Sequence, residues 1–176
     1  MDSGVVGILG TIAGSTFTLF TTEVLKRLGN MKLFLKDFSY TIDTYKSVGC
    51  RAGSKRDDDI YGFSLRYSFE LYNAYEVPRI MRDFKICFYK RNKLIFTSSP
   101  DNELTRILGE HRSTIDEVEA CNINPKEILT FKHSLYVMGE DDVNTILEAD
   151  KIVLRFNCLD IFDKKLTLHR GRLTRT

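Results

Sequence analysis

The hydrophobic pattern of this chain changes period once, at Gly29-Asn30. Upstream, Ser3 to Thr22 carries no charged residue, and Phe17, Phe20, Val24 and Leu28 continue an apolar stripe at helical spacing. At ~1.5 Å per residue such a run is long enough to cross the ~30 Å hydrocarbon core of a bilayer. The expectation is an N-terminal α-helix within residues 1–29 that spans a membrane over about residues 4–22, ahead of a separate unit at 30–176. Downstream the period becomes two. Met31 to Thr44 reads as a strand with Phe38, Tyr40 and Ile42 on one face. The clearest alternation follows, with Tyr61, Phe63, Leu65, Tyr67, Phe69 and Leu71 at every odd position against Gly62, Ser64, Arg66, Ser68 and Glu70. Strict alternation of this kind puts one face in a core and the other in water.

Further strands are expected over Met81–Lys90 and Leu94–Ser98, joined by a tight turn at Arg91-Asn92-Lys93. Val118–Ile123, Leu129–Met138, Lys151–Leu159 and Lys165–Arg170 follow, with one or two helical turns at Asp141–Ala149. Short strands separated by turn signals predict a mainly β, antiparallel immunoglobulin-like β-sandwich of about seven or eight strands behind the one N-terminal helix. Without Trp or a cysteine pair flanking one, an antibody-type domain is not indicated.

Charge orients the expected span. Only Asp2 precedes it, whereas Lys26, Arg27, Lys32 and Lys36 follow, offset by Glu23 and Asp37. An excess of Lys and Arg marks the cytoplasmic side, so the expectation is a single-pass protein of the cell membrane with its C-terminal domain in the cytoplasm. Gly4, Gly7, Gly10 and Gly14 share one stripe of the helix, a face on which a second copy can approach closely. The expected partners are therefore the bilayer, a homo-oligomer through that helix, and a protein partner. A secretory signal peptide is disfavoured because no Lys or Arg precedes the apolar run. The glycine-rich GILGTIAGS lacks the lysine of a phosphate-binding loop. A helix at the interface of a soluble oligomer stays open as an alternative.

The formal net charge of +2, with both signs interspersed, gives no clustered basic face, and nucleic acid is not expected. Arg170, Arg172 and Arg175 form a basic tail. Cys50, Cys87, Cys121 and Cys158 show no metal-ligand spacing, and free thiols suit a reducing compartment.

The order of glycine-rich span, basic junction, MKLFLKDFSYTI and SFELYNAYEVPRIMRDFKICFYKRNKLIF resembles small single-span membrane proteins of bacteria and their prophages. Its specific stretch is Leu71 to Phe96. That resemblance implies a short N-terminal anchor carrying a β-sandwich domain of unknown function, with no catalytic residues to carry over.

Catalytic and metal patterns are not found. His111, His133 and His169 have no partner histidine one helical turn away, and His133 falls at a core position of its strand. Asp57-Asp58-Asp59 and Glu140-Asp141-Asp142 lack the spacing of a calcium loop. No Gly-x-Ser-x-Gly elbow occurs. The expectation is a protein without cofactor, metal or enzymatic activity, acting as a membrane-anchored binding module. A second reading is a membrane effector in which ligand sensing alters packing of the glycine-faced helices. The candidate ligand surface is the connection between the two best strands, with Tyr72, Tyr75, Arg79 and Arg82, because loops on rigid scaffolds carry binding.

Overall fold

The computed structural model describes residues 21, 30–47, 49, 59–108, 113–158 and 162–173. The expected span, apart from Thr21, lies outside the described residues, with Gly4, Gly7, Gly10, Gly14, Lys26 and Arg27. Among the described residues no helix is long and apolar enough to cross a membrane.

Alternation builds the sheets where it was read. The long strands are β1 (Met31–Thr44), β2 (Ile60–Asn73), β3 (Arg79–Lys90), β4 (Lys93–Ser98), β9 (Ile128–Met138), β10 (Lys151–Cys158) and β11 (Phe162–Arg170). Eleven strands form among the described residues, against the seven or eight expected. The additional ones are two residues each: β5 (Asp101–Asn102), β6 (Ile107–Leu108) and β7 (Ser113–Thr114). They lie in a polar stretch with no alternation to reveal them. The expected Val118–Ile123 strand shrinks to β8 (Cys121–Ile123). The last strand begins at Phe162, three residues ahead of the expected start at Lys165.

Two antiparallel sheets face each other. The first runs β1-β2-β9-β5; the second runs β11-β10-β3-β4, with β8 beside β4 on the same edge of β3. Phe63, Leu65, Tyr67, Phe69 and Leu71 of β2 meet Met81, Phe84, Ile86 and Phe88 of β3 and Ile152, Leu154 and Phe156 of β10, all buried. Each fully buried aliphatic or aromatic chain contributes about 1.5–3 kcal/mol, so this interlayer is what holds the fold. The helix α1 (Glu140–Leu147) closes one end with buried Val143 and Ile146. Glu140, Asp141 and Asp142 occupy its first turn, where negative charge complements the helix dipole.

Two bulges reset the alternation. Asp83 takes a left-handed backbone (φ 58) where the β3–β10 register shifts, so Met81 and Phe84 both face the core despite odd spacing. A shift at Lys36 does the same between Leu33 and Phe38 on β1. The β3–β4 hairpin turns on Arg91 and Asn92, with φ 49 and 67. That is the handedness of a two-residue turn matching strand twist, and glycine adopts it without steric cost. Asn92→Gly is therefore expected to raise stability by about 0.5–1 kcal/mol, read from the urea midpoint.

Candidate functional site

The outer face of the first sheet is read from its register. Ser39, Arg66 and Ser134 form one row across β1, β2 and β9; Thr41, Ser64 and Tyr136 form the next, then Asp43, Gly62 and Met138. Tyr136 leans over Gly62, where a Cβ would sit 2.8 Å from Tyr136 Oη and 3.2 Å from the Val137 carbonyl. Glycine at that position is what allows an aromatic ring to lie across the sheet.

An arm made of residues 100–108 and 113–118 rises over the same face. It is tied by Asn102 N–H to the Asp116 carbonyl (2.8 Å), Val118 N–H to the Pro100 carbonyl (3.1 Å) and Asp116 N–H to Thr105 Oγ1 (3.0 Å). Asn102 caps the 3-10 turn Glu103–Thr105 by accepting from Leu104 N–H at 3.1 Å. The arm brings Arg106 to Glu103 in a two-pronged pair, Nε to Oε2 at 2.8 Å and Nη2 to Oε1 at 2.7 Å. Arg66 Nε stands 3.9 Å from the same carboxylate. The Arg106 hydrogen bonds hold Glu103 below the usual carboxylate range. Burial, reinforced by Glu117, pushes Asp101 up.

Two adjoining grooves of about 670 and 560 Å³ result, sharing Ser39, Arg66 and Arg106. Their lining mixes hydroxyls and alternating charges with Tyr40, Ile115 and the exposed Tyr136 and Met138. Such a surface offers hydrogen bonds together with apolar contact. None of these residues was a candidate in the sequence, where Arg66 reads as the solvated side of β2 and Glu103 and Arg106 as loop charge.

The sequence candidates are brought together in part. Tyr72, Tyr75 and Arg79 gather at one end of the sandwich, with the Arg79 guanidinium 3.9 Å above the Tyr75 ring. Arg82 lies further along β3, opposite Asn157, its Nε 3.7 Å from Asp83. Lys32 and Lys36, candidates for another reason, stand on the exposed outer side of β1 at the same end as Tyr72.

Buried Asn73 organises this end. Its Nδ2 faces the carbonyls of Val77 (3.0 Å), Ile123 (3.2 Å) and Asn124 (3.0 Å), and its Oδ1 accepts from Tyr75 N–H at 3.0 Å.

His133 sits between the sheets among Phe69, Phe84 and Phe131, its Nδ1 3.0 Å from Tyr67 Oη. Burial lowers its pKa to about 4 and raises Tyr67. Both side chains are buried, His133 at 1% and Tyr67 at 3% exposure. Burial also lifts Cys121 to about 11 and raises Cys158, which leaves both as unreactive thiols.

Two facing antiparallel sheets, with a groove on one outer face, define an immunoglobulin-like β-sandwich domain. The chain belongs to the YopI Ig-like domain family, whose model matches residues 29–170. It is 26% identical over 149 residues to the SPbeta prophage-derived uncharacterized protein YopI of Bacillus subtilis (strain 168), covering 84% of each chain. Among solved structures it is similar to the ApaA protein of Bordetella pertussis (6% identity, TM-score 0.35, 84% of this chain and 94% of that one). It is also similar to the Iho670 flagellar-like filament (8% identity, TM-score 0.38, 95% and 96%). At these TM-scores neither likeness bears on fold or function.

Proposed function

We propose that this chain is a binding module of a prophage-type system, held at the cytoplasmic face of the membrane by its N-terminal segment. The double groove on the outer face of the β1-β2-β9-β5 sheet takes an extended polar segment of a protein partner. The observation that carries this is the convergence of Arg66, Arg106, Ser39 and Tyr136 on one continuous depression. Arg66 is the cation with most to offer: its side chain is 67% exposed, and its one carboxylate neighbour among the described residues is 3.9 Å away. Arg106, in contrast, is committed to Glu103. The anchoring half of the proposal rests on the uncharged run Ser3–Thr22 and the basic residues behind it.

The two halves are tested separately. Full-length protein is expected in the membrane pellet after carbonate extraction; recovery in the supernatant ends the anchoring reading. For the groove, Tyr136 replaced by a photo-crosslinking phenylalanine analogue is expected to give a discrete adduct in cells. The same analogue at Leu94, on the other sheet, is expected to give none. Adding Arg66→Glu, which leaves the core untouched, is expected to weaken the association at least tenfold, about 1.4 kcal/mol. An adduct insensitive to Arg66→Glu, or none at all, removes the groove as a binding site.

A further inference from the structure

The end of the sandwich where the chain arrives from residues 1–29 carries a surface of its own. Asn30 is fixed there by the Ala74 N–H, which donates to its carbonyl at 3.0 Å. Two loops share this end: Asn73 to Pro78 joins β2 and β3, and Asn124 to Glu127 joins β8 and β9. They are locked together: Asn73 N–H donates to the Glu127 carbonyl (3.0 Å) and Lys126 N–H to the Asn73 carbonyl (2.8 Å). Lys126 Nζ reaches the Ala74 carbonyl at 2.8 Å. The platform is therefore rigid in its backbone.

Its side chains are not those of an ordinary solvated end. Register puts Lys32, Tyr72 and Ile128 in one row on the outer face, with Phe34, Glu70 and Thr130 in the next. Phe34 is 50% and Ile128 59% exposed. Flanking them are Lys36, paired with Glu70 at 3.0 Å, and Lys126, paired with Glu76 at 2.8 Å. Among the described residues Lys32 and Arg79 have no carboxylate partner. Exposed aliphatic and aromatic groups ringed by lysines, with tyrosines beside them, are the composition of a membrane-interface belt. Cations there are attracted by the negative potential of anionic lipid.

Position decides between lipid and a soluble partner. Seven residues separate Thr22 from Asn30, a tether of at most ~28 Å over its eight steps even if fully extended. Whatever face this end presents is thus held within one short reach of the segment proposed to enter the bilayer. The opposite end, with α1, the β3–β4 turn and the close of β11 at Arg170, has no such restraint. It is also where Arg170 and Arg172 sit, so the basic tail leaves the domain at the end away from the tether.

We infer that the surface formed by Lys32, Phe34, Tyr72, Lys126 and Ile128 docks on the headgroup layer of an anionic bilayer, leaning the sandwich so that its first-sheet groove has a fixed orientation to the membrane. This rests on the anchoring reading given above and goes beyond it: anchoring alone leaves the domain free to tumble on its tether.

The chain contains no tryptophan, so one introduced indole reports a single place. Full-length Ile128→Trp and Leu94→Trp proteins are reconstituted in phosphatidylcholine vesicles containing phosphatidylglycerol, with acyl chains brominated near the headgroup. Ile128→Trp is expected to shift to the blue and lose most of its emission to bromine quenching, while Leu94→Trp, exposed at the far end, keeps its own. Adding Lys32→Glu, or omitting phosphatidylglycerol, is expected to restore much of the Ile128→Trp emission. Protein that floats with the vesicles yet leaves the position 128 indole unquenched overturns the docking surface and leaves the anchor standing. Equal quenching at both positions overturns it as well, since the contact is then not local to this end. Quenching undiminished in pure phosphatidylcholine overturns the anionic partner. Protein that fails to float at all brings down the anchor and the docking surface together.

Discussion

Asn73→Leu is expected to lower the free energy of unfolding by about 3 kcal/mol, seen as a fall of roughly 6–12 °C in Tm or the matching shift in urea midpoint. Leucine is close in size, so the loss is not one of volume. The asparagine amide is fully buried, and its two N–H groups serve carbonyls of Val77, Ile123 and Asn124. Its oxygen takes the Tyr75 N–H. Removing it strands backbone groups from two loops in a place where water does not reach, each at about 1–3 kcal/mol. Asn73→Asp is expected to be at least as damaging, because it keeps the acceptor for Tyr75 but turns a carboxylate oxygen toward three carbonyls. A Leu variant as stable as the parent would show that these loops do not depend on the amide.

That residue also marks where sequence reading stops. The strands β2, β3 and β10 were legible because each has one core face, and a period of two records that directly. Asn73 closes the most readable strand of all, yet nothing local distinguishes it from the polar loop beyond. Two of its partners are close by, at Tyr75 and Val77, but the other two lie 50 and 51 residues away at Ile123 and Asn124. The groove is hidden for the same reason. Ser39, Arg66 and Ser134 are each an ordinary outward residue of a strand, and only the β1-β2-β9 register puts them in one row. The arm of residues 100–108 and 113–118 was invisible as structure because its strands are two residues long and β5 pairs with distant β9.

The candidate end fared better. Tyr72, Tyr75 and Arg79 were legible as a loop on a rigid scaffold, and Lys32 and Lys36 as a basic junction. That the two groups occupy the same end follows from β1 and β2 being antiparallel neighbours, with Met31 opposite Asn73. Edge strand β1 also shows why its exposed apolar residues escaped notice. The shift at Lys36 breaks the alternation, so Phe34 falls on the outer face while Phe38, four residues on, faces inward.

His133 was legible as a core histidine, and its burial makes a pH prediction with a definite sign. Its folded pKa is depressed to about 4 from an ordinary value near 6.5, by desolvation. Between these values the unfolded chain binds a proton that the folded domain refuses, so stability rises with pH and is lost as pH falls from 6.5 toward 4. At about 1.4 kcal/mol per pKa unit, the full loss is about 3 kcal/mol, most of it spent by pH 4.5. Carboxylates contribute in a lower window: Glu103, held down by Arg106, gives up its stabilisation as pH falls from the ordinary carboxylate range to its own depressed pKa. The measurement is urea unfolding of parent and His133→Gln at pH 7.0 and 4.5. Glutamine keeps a polar partner within reach of Tyr67 Oη and does not titrate, so the carboxylate terms cancel in the difference between the two proteins. The parent is expected to lose about 2–3 kcal/mol more than the variant over that interval. Equal losses would mean that His133 takes up its proton in the folded domain, and that the space between the sheets admits water.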